Sequence, residues 1–228
     1  MSLLKKKDRE ILEKEFAENL QHKVVLIGFL SKEHTCMYCR EVNMLLEEIS
    51  SLHEKIELKI YDMSDEEAEK YSVKQTPTII ITDDEGIYGN RIQFWGIPSG
   101  YEFTTFIEDI IDVSRRTPKV SEQTKEALHK LKNNLQIEVY ITPTCPYCPR
   151  AVRTAHSFAM VNERITGIMV EAIEFPSLAD RWGVMSVPHI VIKNLDKGNT
   201  VQFIGAYPEK HFLRFVEDAD SGEDYKVV

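Results

Sequence analysis

The chain is a duplicate of itself. Its four cysteines form two Cys-x-x-Cys pairs, Cys36-Met37-Tyr38-Cys39 and Cys145-Pro146-Tyr147-Cys148, set 109 positions apart in 228 residues. The same offset carries Phe94-Trp95-Gly96 onto Phe203-Ile204-Gly205 and residues 102–109 onto 211–218. An offset of 111 aligns residues 71–77 with 182–188, and the slip of two is an ordinary loop-length difference. This period is too long for a solenoid repeat and predicts two domains of ordinary size. Thr117-Pro118 breaks the chain between them, giving expected domains of 1–117 and 118–228.

Hydrophobic periodicity predicts the same order of elements twice. In the first half it expects a helix over 8–20, a strand over 24–30 and a helix after Cys36 with Val42, Leu45, Leu46 and Ile49 on one face. A strand over 56–61 and a short acidic helix over 65–70 follow. Next come a hairpin of 78–82 with 92–95 around Asp83-Asp84-Glu85-Gly86, and a helix over 101–116. The second half reads as a helix over 121–132, a strand over 137–142, a helix over 148–162, strands over 168–174, 190–192 and 201–204, and a helix over 208–218. Strands alternating with helices in this way predict an α/β fold, each half a mixed central sheet with helices on both faces.

Composition sets bounds on partners. A net charge of −9, with no basic stripe, argues against nucleic acid. No apolar run reaches membrane-spanning length. The lysine- and glutamate-studded first 16 residues lack a signal-peptide core, so the expected location is cytoplasmic, with no membrane partner. Stable disulfides are uncommon in most cytosols, which leaves redox catalysis or metal binding for paired cysteines, hyperthermophiles being the exception. A Cys₄ zinc site is disfavoured by spacing: such sites separate their pairs by about 15–20 residues, whereas 105 intervene here.

Each pair follows an apolar run and opens an amphipathic helix. Unpaired N–H groups and the macrodipole at a helix N-terminus favour a thiolate and can lower its pKa to roughly 3.5–7.5 from about 8.5. Cys36 and Cys145 are therefore the expected attacking thiols, with Cys39 and Cys148 one turn on to close the ring. His34 reads as a solvated loop residue and Trp95 and Trp182 as packing residues. Asp65-Glu66-Glu67 reads as a helix N-terminus, and His189 is a candidate modulator of the second site. Pro146 fixes φ beside Cys145 where Met37 leaves the chain free, so the two sites are expected to differ, the second carrying more reductase activity.

A CxxC at a helix start, followed some 40 residues later by a proline opening an apolar strand, resembles the thioredoxin-like superfamily. Pro77 and Pro188 are the matching prolines, and the resemblance implies that both are cis and pack beside the cysteines. Thr144-Cys145-Pro146-Tyr147-Cys148 is similar to a glutaredoxin active site. Two such units in one chain resemble the protein disulfide oxidoreductases of thermophilic archaea and bacteria, also called glutaredoxin-like proteins. The fold implied is two tandem thioredoxin-like (glutaredoxin-like) domains, and the activity dithiol–disulfide exchange. The catalytic set is Cys36, Cys39, Cys145 and Cys148; Thr76, Pro77, Val187 and Pro188 bind substrate, and neither cofactor nor metal is expected. Implied partners are protein disulfides or dithiols and a thioredoxin-reductase-like electron donor. The alternatives are a dedicated electron carrier for one enzyme, such as a peroxidase, and a non-catalytic metal-binding protein. Two departures stand out. The strand before each CxxC lacks the buried aspartate of thioredoxins, leaving the proton-handling acid unassigned. Gly205-Ala206-Tyr207-Pro208 and Gly96-Ile97-Pro98-Ser99 lack the aspartate with which glutaredoxins hold glutathione.

Overall fold

The computed structural model describes residues 3–31 and 36–227. His34 lies outside them. The first half runs α1 (Lys6–Asn19), β1 (Val24–Leu30), α2 (Cys39–Ser50), β2 (Ile56–Asp62), α3 (Glu66–Lys70), β3 (Thr78–Asp83), β4 (Ile92–Trp95) and α4 (Glu102–Arg115). The second runs α5 (Glu122–Leu128), β5 (Leu135–Ile141), α6 (Cys148–Val161), β6 (Ile165–Glu171), α7 (Pro176–Trp182), β7 (His189–Asn194), β8 (Thr200–Ile204) and α8 (Glu209–Ser221), ending on a further strand β9 (Tyr225–Val227). These are two thioredoxin-fold units.

The nine strands among the described residues join one sheet in the order β2-β1-β3-β4-β6-β5-β7-β8-β9. Within each unit a central strand pairs in parallel with the next strand and antiparallel with the first hairpin strand: β1 with β2 and β3, β5 with β6 and β7. β1, Val-Val-Leu-Ile-Gly-Phe-Leu, is buried along its whole length, as a strand covered on both faces must be. Side chains of α1, α2, α4, α5, α6 and α8 pack into one continuous core on one face. Smaller clusters lie on the other face beneath α3 and α7. Among the described residues no helix is long and apolar enough to cross a membrane.

The units meet edge to edge, β4 pairing in parallel with β6 so that Ile92 faces Gly167 and Trp95 faces Val170. Above this seam α4 packs on α6 through buried charge. The Arg153 guanidinium bonds both Asp109 and Asp112 and reaches Glu108 at 3.1 Å. His156, fully buried, places Nδ1 2.6 Å from Asp109 and Nε2 3.1 Å from the Gln93 carbonyl.

Several features differ from the sequence reading, among them the helix expected over 121–132, which ends at Leu128. The strand expected over 168–174 begins three residues earlier, because Ile165 pairs with Leu135 and the chain turns at Glu171. α7 has no counterpart among the expected elements; it is seven residues long, with Pro176 in its first turn and Gly183 in left-handed conformation as its stop. β9 has three residues, too few for any periodicity, and it exists through its pairing with β8.

Candidate active site

Each CxxC sits where the chain leaves the end of a central strand and enters a helix. The helices begin at the second cysteines, with Tyr38 and Tyr147 at the N-caps. Cys36 and Cys145 therefore lie in the turn just ahead of the helix rather than inside it, still before the free N–H groups of its first turn. Both pairs are closed, Cys36 with Cys39 and Cys145 with Cys148, each with Cα atoms 5.6 Å apart. The second cysteines are buried, Cys148 completely. Ser31 N–H donates to Cys39 Sγ at 3.2 Å. Cys145 Sγ stands 3.8 Å from the Val187 carbonyl.

That carbonyl precedes Pro188. The Thr76–Pro77 and Val187–Pro188 bonds are both cis. Each proline is tied from the far side, Gly96 N–H donating to Pro77 O at 2.9 Å and Gly205 N–H to Pro188 O at 2.8 Å. Val187 packs at the edge of the same core as the sulfurs, and Thr76 lines a groove with Cys36 and Cys39. The structure thus brings the expected residues into two matched groups: Thr76 and Pro77 with the first pair, Val187 and Pro188 with the second. Tyr147 and Met185 are strongly exposed at the second site, and Met37 and Tyr38 at the first.

His189 does not join the site. Alternation along β7 turns its ring to the face away from the cysteines, against Tyr140 and 3.3 Å from Gln202 Oε1. Burial lowers its pKa, an effect that the Gln202 bond partly offsets. Trp95 is buried and donates to Gln93 at 2.9 Å, and Trp182 packs beneath Lys193. Asp65 is the N-cap of α3.

The second site also borrows from the first unit. The segment from Gly96 to Tyr101 crosses beside it: Ile97 N–H donates to Glu174 at 2.6 Å and Tyr101 N–H to Pro143 O at 3.0 Å, two residues before Cys145. Farther along, Asp109 and Asp112 meet Arg153. α4 and α6 therefore run side by side in the same direction. The first turn of α4, bearing Glu102, comes level with the first turn of α6, bearing Cys148.

Glu102 is fully buried, and neither carboxylate oxygen has a well-formed hydrogen bond among the described residues. Burial pushes its pKa up to about 7, against a weaker opposing pull from the Thr105 hydroxyl and with a further push from Asp109. Sequence reasoning missed this residue. At the start of a helix, a glutamate reads as favourable charge on the macrodipole, and only the folded chain shows that it is buried.

Gly100 makes the crossing possible. Its φ is +60°, and a Cβ would stand 2.1 Å from the Pro143 carbonyl oxygen. Gly100→Ala therefore forces the segment off the second site. We expect a loss of at least 2 kcal/mol or so, read from denaturant midpoints, from left-handed strain together with overpacking.

The fold and paired cysteines define a thioredoxin-type redox protein, and sequence likeness agrees. A thioredoxin family model matches residues 8–108 and a thioredoxin-domain model matches residues 135–217. The chain belongs to the protein disulfide oxidoreductases. It is 32% identical to the enzyme of that name from Aeropyrum pernix k1, covering 97% of this chain and 95% of that one, with a TM-score of 0.84. The structure of the alkylhydroperoxide reductase protein AhpF from Enterococcus faecalis is 26% identical, covering 92% of this chain and 98% of that one, with a TM-score of 0.80. Curated relatives include the corresponding alkyl hydroperoxide reductase protein of Staphylococcus aureus (28% identical) and an NADH dehydrogenase of Bacillus subtilis (26%). Each match covers 70% of this chain but only 29% of the relative, so the chain spans under a third of their length.

Proposed function

We propose that the protein exchanges disulfides with protein substrates through both CxxC pairs, with Cys36 and Cys145 attacking and Cys39 and Cys148 resolving. The observation that carries the reading is the Cys145 sulfur beside the Val187 carbonyl, at a helix entry, bonded to a buried partner sulfur in the next turn. In the reducing direction the Cys145 thiolate attacks a substrate disulfide, forming a mixed disulfide and releasing one substrate thiolate. Cys148 then gives up its proton and attacks Cys145 Sγ, releasing the second substrate thiol. Two electrons have passed to the substrate, and the CxxC is left oxidised. The reverse sequence oxidises a substrate dithiol. Thr76 and Val187 offer main chain to an extended substrate beside Pro77 and Pro188.

Glu102 is our candidate for the acid that takes the Cys148 proton. An acid titrating near neutral pH is matched to that task, and its position on α4 makes the second site a product of both units. The counterpart of Glu102 in the second unit, His211, is exposed. A dithiol-supplying flavoenzyme of the thioredoxin-reductase kind fits as electron donor. The likeness to the AhpF protein of alkylhydroperoxide reductase supports a narrower second reading, service to one peroxide-reducing system. Comparable rates on several unrelated protein disulfides would exclude that narrower role.

The test of the main reading is a trap. Cys148→Ser should accumulate a mixed disulfide with a protein substrate through Cys145, and Cys145→Ser should accumulate none through Cys148. Equal trapping by both variants would overturn the assignment. Loss of Cys145 should also cost more turnover than loss of Cys36, because Pro146 stiffens the turn beside the nucleophile.

A further inference from the structure

At the seam, β6 receives a parallel strand on its outer edge. Gly167 N–H donates to Arg91 O at 2.8 Å, Phe94 faces Met169, and the chain beyond the strand crosses the groove by the second CxxC with its Ile97 N–H on Glu174. The 109-residue offset makes β2 the counterpart of β6, Leu58 of Gly167, Ile60 of Met169 and Asp65 of Glu174. β2, however, is the terminal strand of the sheet, and among the described residues no strand covers its outer edge. Met169 is fully buried, while Ile60 is 40% exposed. Beside it lies a groove of about 1290 Å³ lined by Cys36, Cys39, Ile60, Tyr61, Asp65 and Thr76.

We infer that this edge and groove take an extended segment of a disulfide-bearing client polypeptide, added parallel to β2 so that the residues following it cross Cys36. The inference rests on the oxidoreductase reading above. Val24 N–H donates to Lys55 O, so in the parallel ladder the odd-numbered residues of β2 bond β1 and the amides of Leu58 and Ile60 point outward. Main-chain pairing is tolerant of client sequence, with side-chain pockets adding preference. A second copy of this chain could not supply the strand that matches β4. Its matching strand, β8, is already covered by β9, Val201 facing Tyr225 and Phe203 facing Val227 just as Ile92 and Phe94 face Gly167 and Met169. Asp218, the counterpart of Asp109, accepts the Tyr225 hydroxyl at 2.5 Å where Asp109 meets His156.

Ile60→Pro removes one outward donor without touching the β1–β2 ladder. In protein carrying Cys145→Ser and Cys148→Ser, so that only the first site reacts, the change should lower kcat/KM for insulin reduction by about fivefold or more, the worth of one main-chain hydrogen bond. The rate with 5,5′-dithiobis(2-nitrobenzoate), too small to span a strand, should hold. An unchanged insulin rate, or equal losses on both substrates, would overturn the docking site. A parent protein inert toward both disulfides would instead sink the exchange reading for this pair. Hydrogen exchange on the unaltered protein decides the docking independently of activity or variant folding. A peptide of the sequence of residues 91–101 should slow exchange at the Leu58 and Ile60 amides, and absence of protection there overturns the inference.

Discussion

Glu102→Gln is expected to slow turnover at the Cys145 site by about 10²-fold near pH 7 and to abolish the limb of the pH–rate profile centred near 7. Stability should move the other way. Burial raises this carboxyl from 4.5 to about 7 in the folded chain. Its favourable contribution is then complete below the unfolded value and is lost as pH rises through 7. Above pH 7 the folded protein carries a buried anion worth on the order of 3 kcal/mol of destabilisation, which a neutral glutamine removes. The thermal midpoint of the variant should accordingly rise at pH 8 and change little at pH 4. Glu174, also raised by burial to about 7, adds to the same decline in the parent. A variant both slower and less stable at pH 8 would mean that Glu102 serves packing rather than proton transfer.

Arg153→Met is expected to cost about 3–5 kcal/mol, because it leaves two buried carboxylates without their guanidinium. Asp109 and Asp112 are essentially inaccessible, and Lys119, 3.6 Å from Asp112 and largely exposed, is a weak substitute. For a chain of this size the thermal midpoint should fall by about 10 °C. A shift within a degree or two would show that water reaches the seam and screens it. The loss should be cooperative across both halves, since the seam lies beneath a core common to them.

Much of this molecule was legible in residue pattern. The all-apolar run 24–30 is β1 to the residue, and 92–95 is β4. In such runs side-chain burial and local propensity point the same way. The CxxC pairs are legible from their spacing, and the cis bonds at Pro77 and Pro188 follow from the family resemblance that this spacing carries. What escaped was everything decided by contacts distant in sequence. Glu102 and Asp109 look like surface charge on an amphipathic helix, yet both are buried, Asp109 against Arg153 and His156 of α6. β9 has no signature of its own, and the edge pairing of β4 with β6 is invisible to any local window. His189 was misjudged by adjacency: next to a proline beside the sulfurs, it faces the other way because neighbours on a strand alternate.

The seam between the units also has a consequence in time. β4 is complete about 70 residues before β6 leaves the ribosome, an interval on the order of ten seconds at ordinary synthesis rates. Throughout it, the nascent first half presents a bare strand edge, with Asp109 and Asp112 still lacking their cation. Parallel pairing of segments so far apart is slow to form. The moment of greatest exposure to aggregation therefore falls in mid-synthesis rather than after release. Protease pulses on stalled chains should find the first half labile when the emerged chain ends near residue 130 and resistant once it passes β6, while equal resistance at both lengths would contradict this order of assembly.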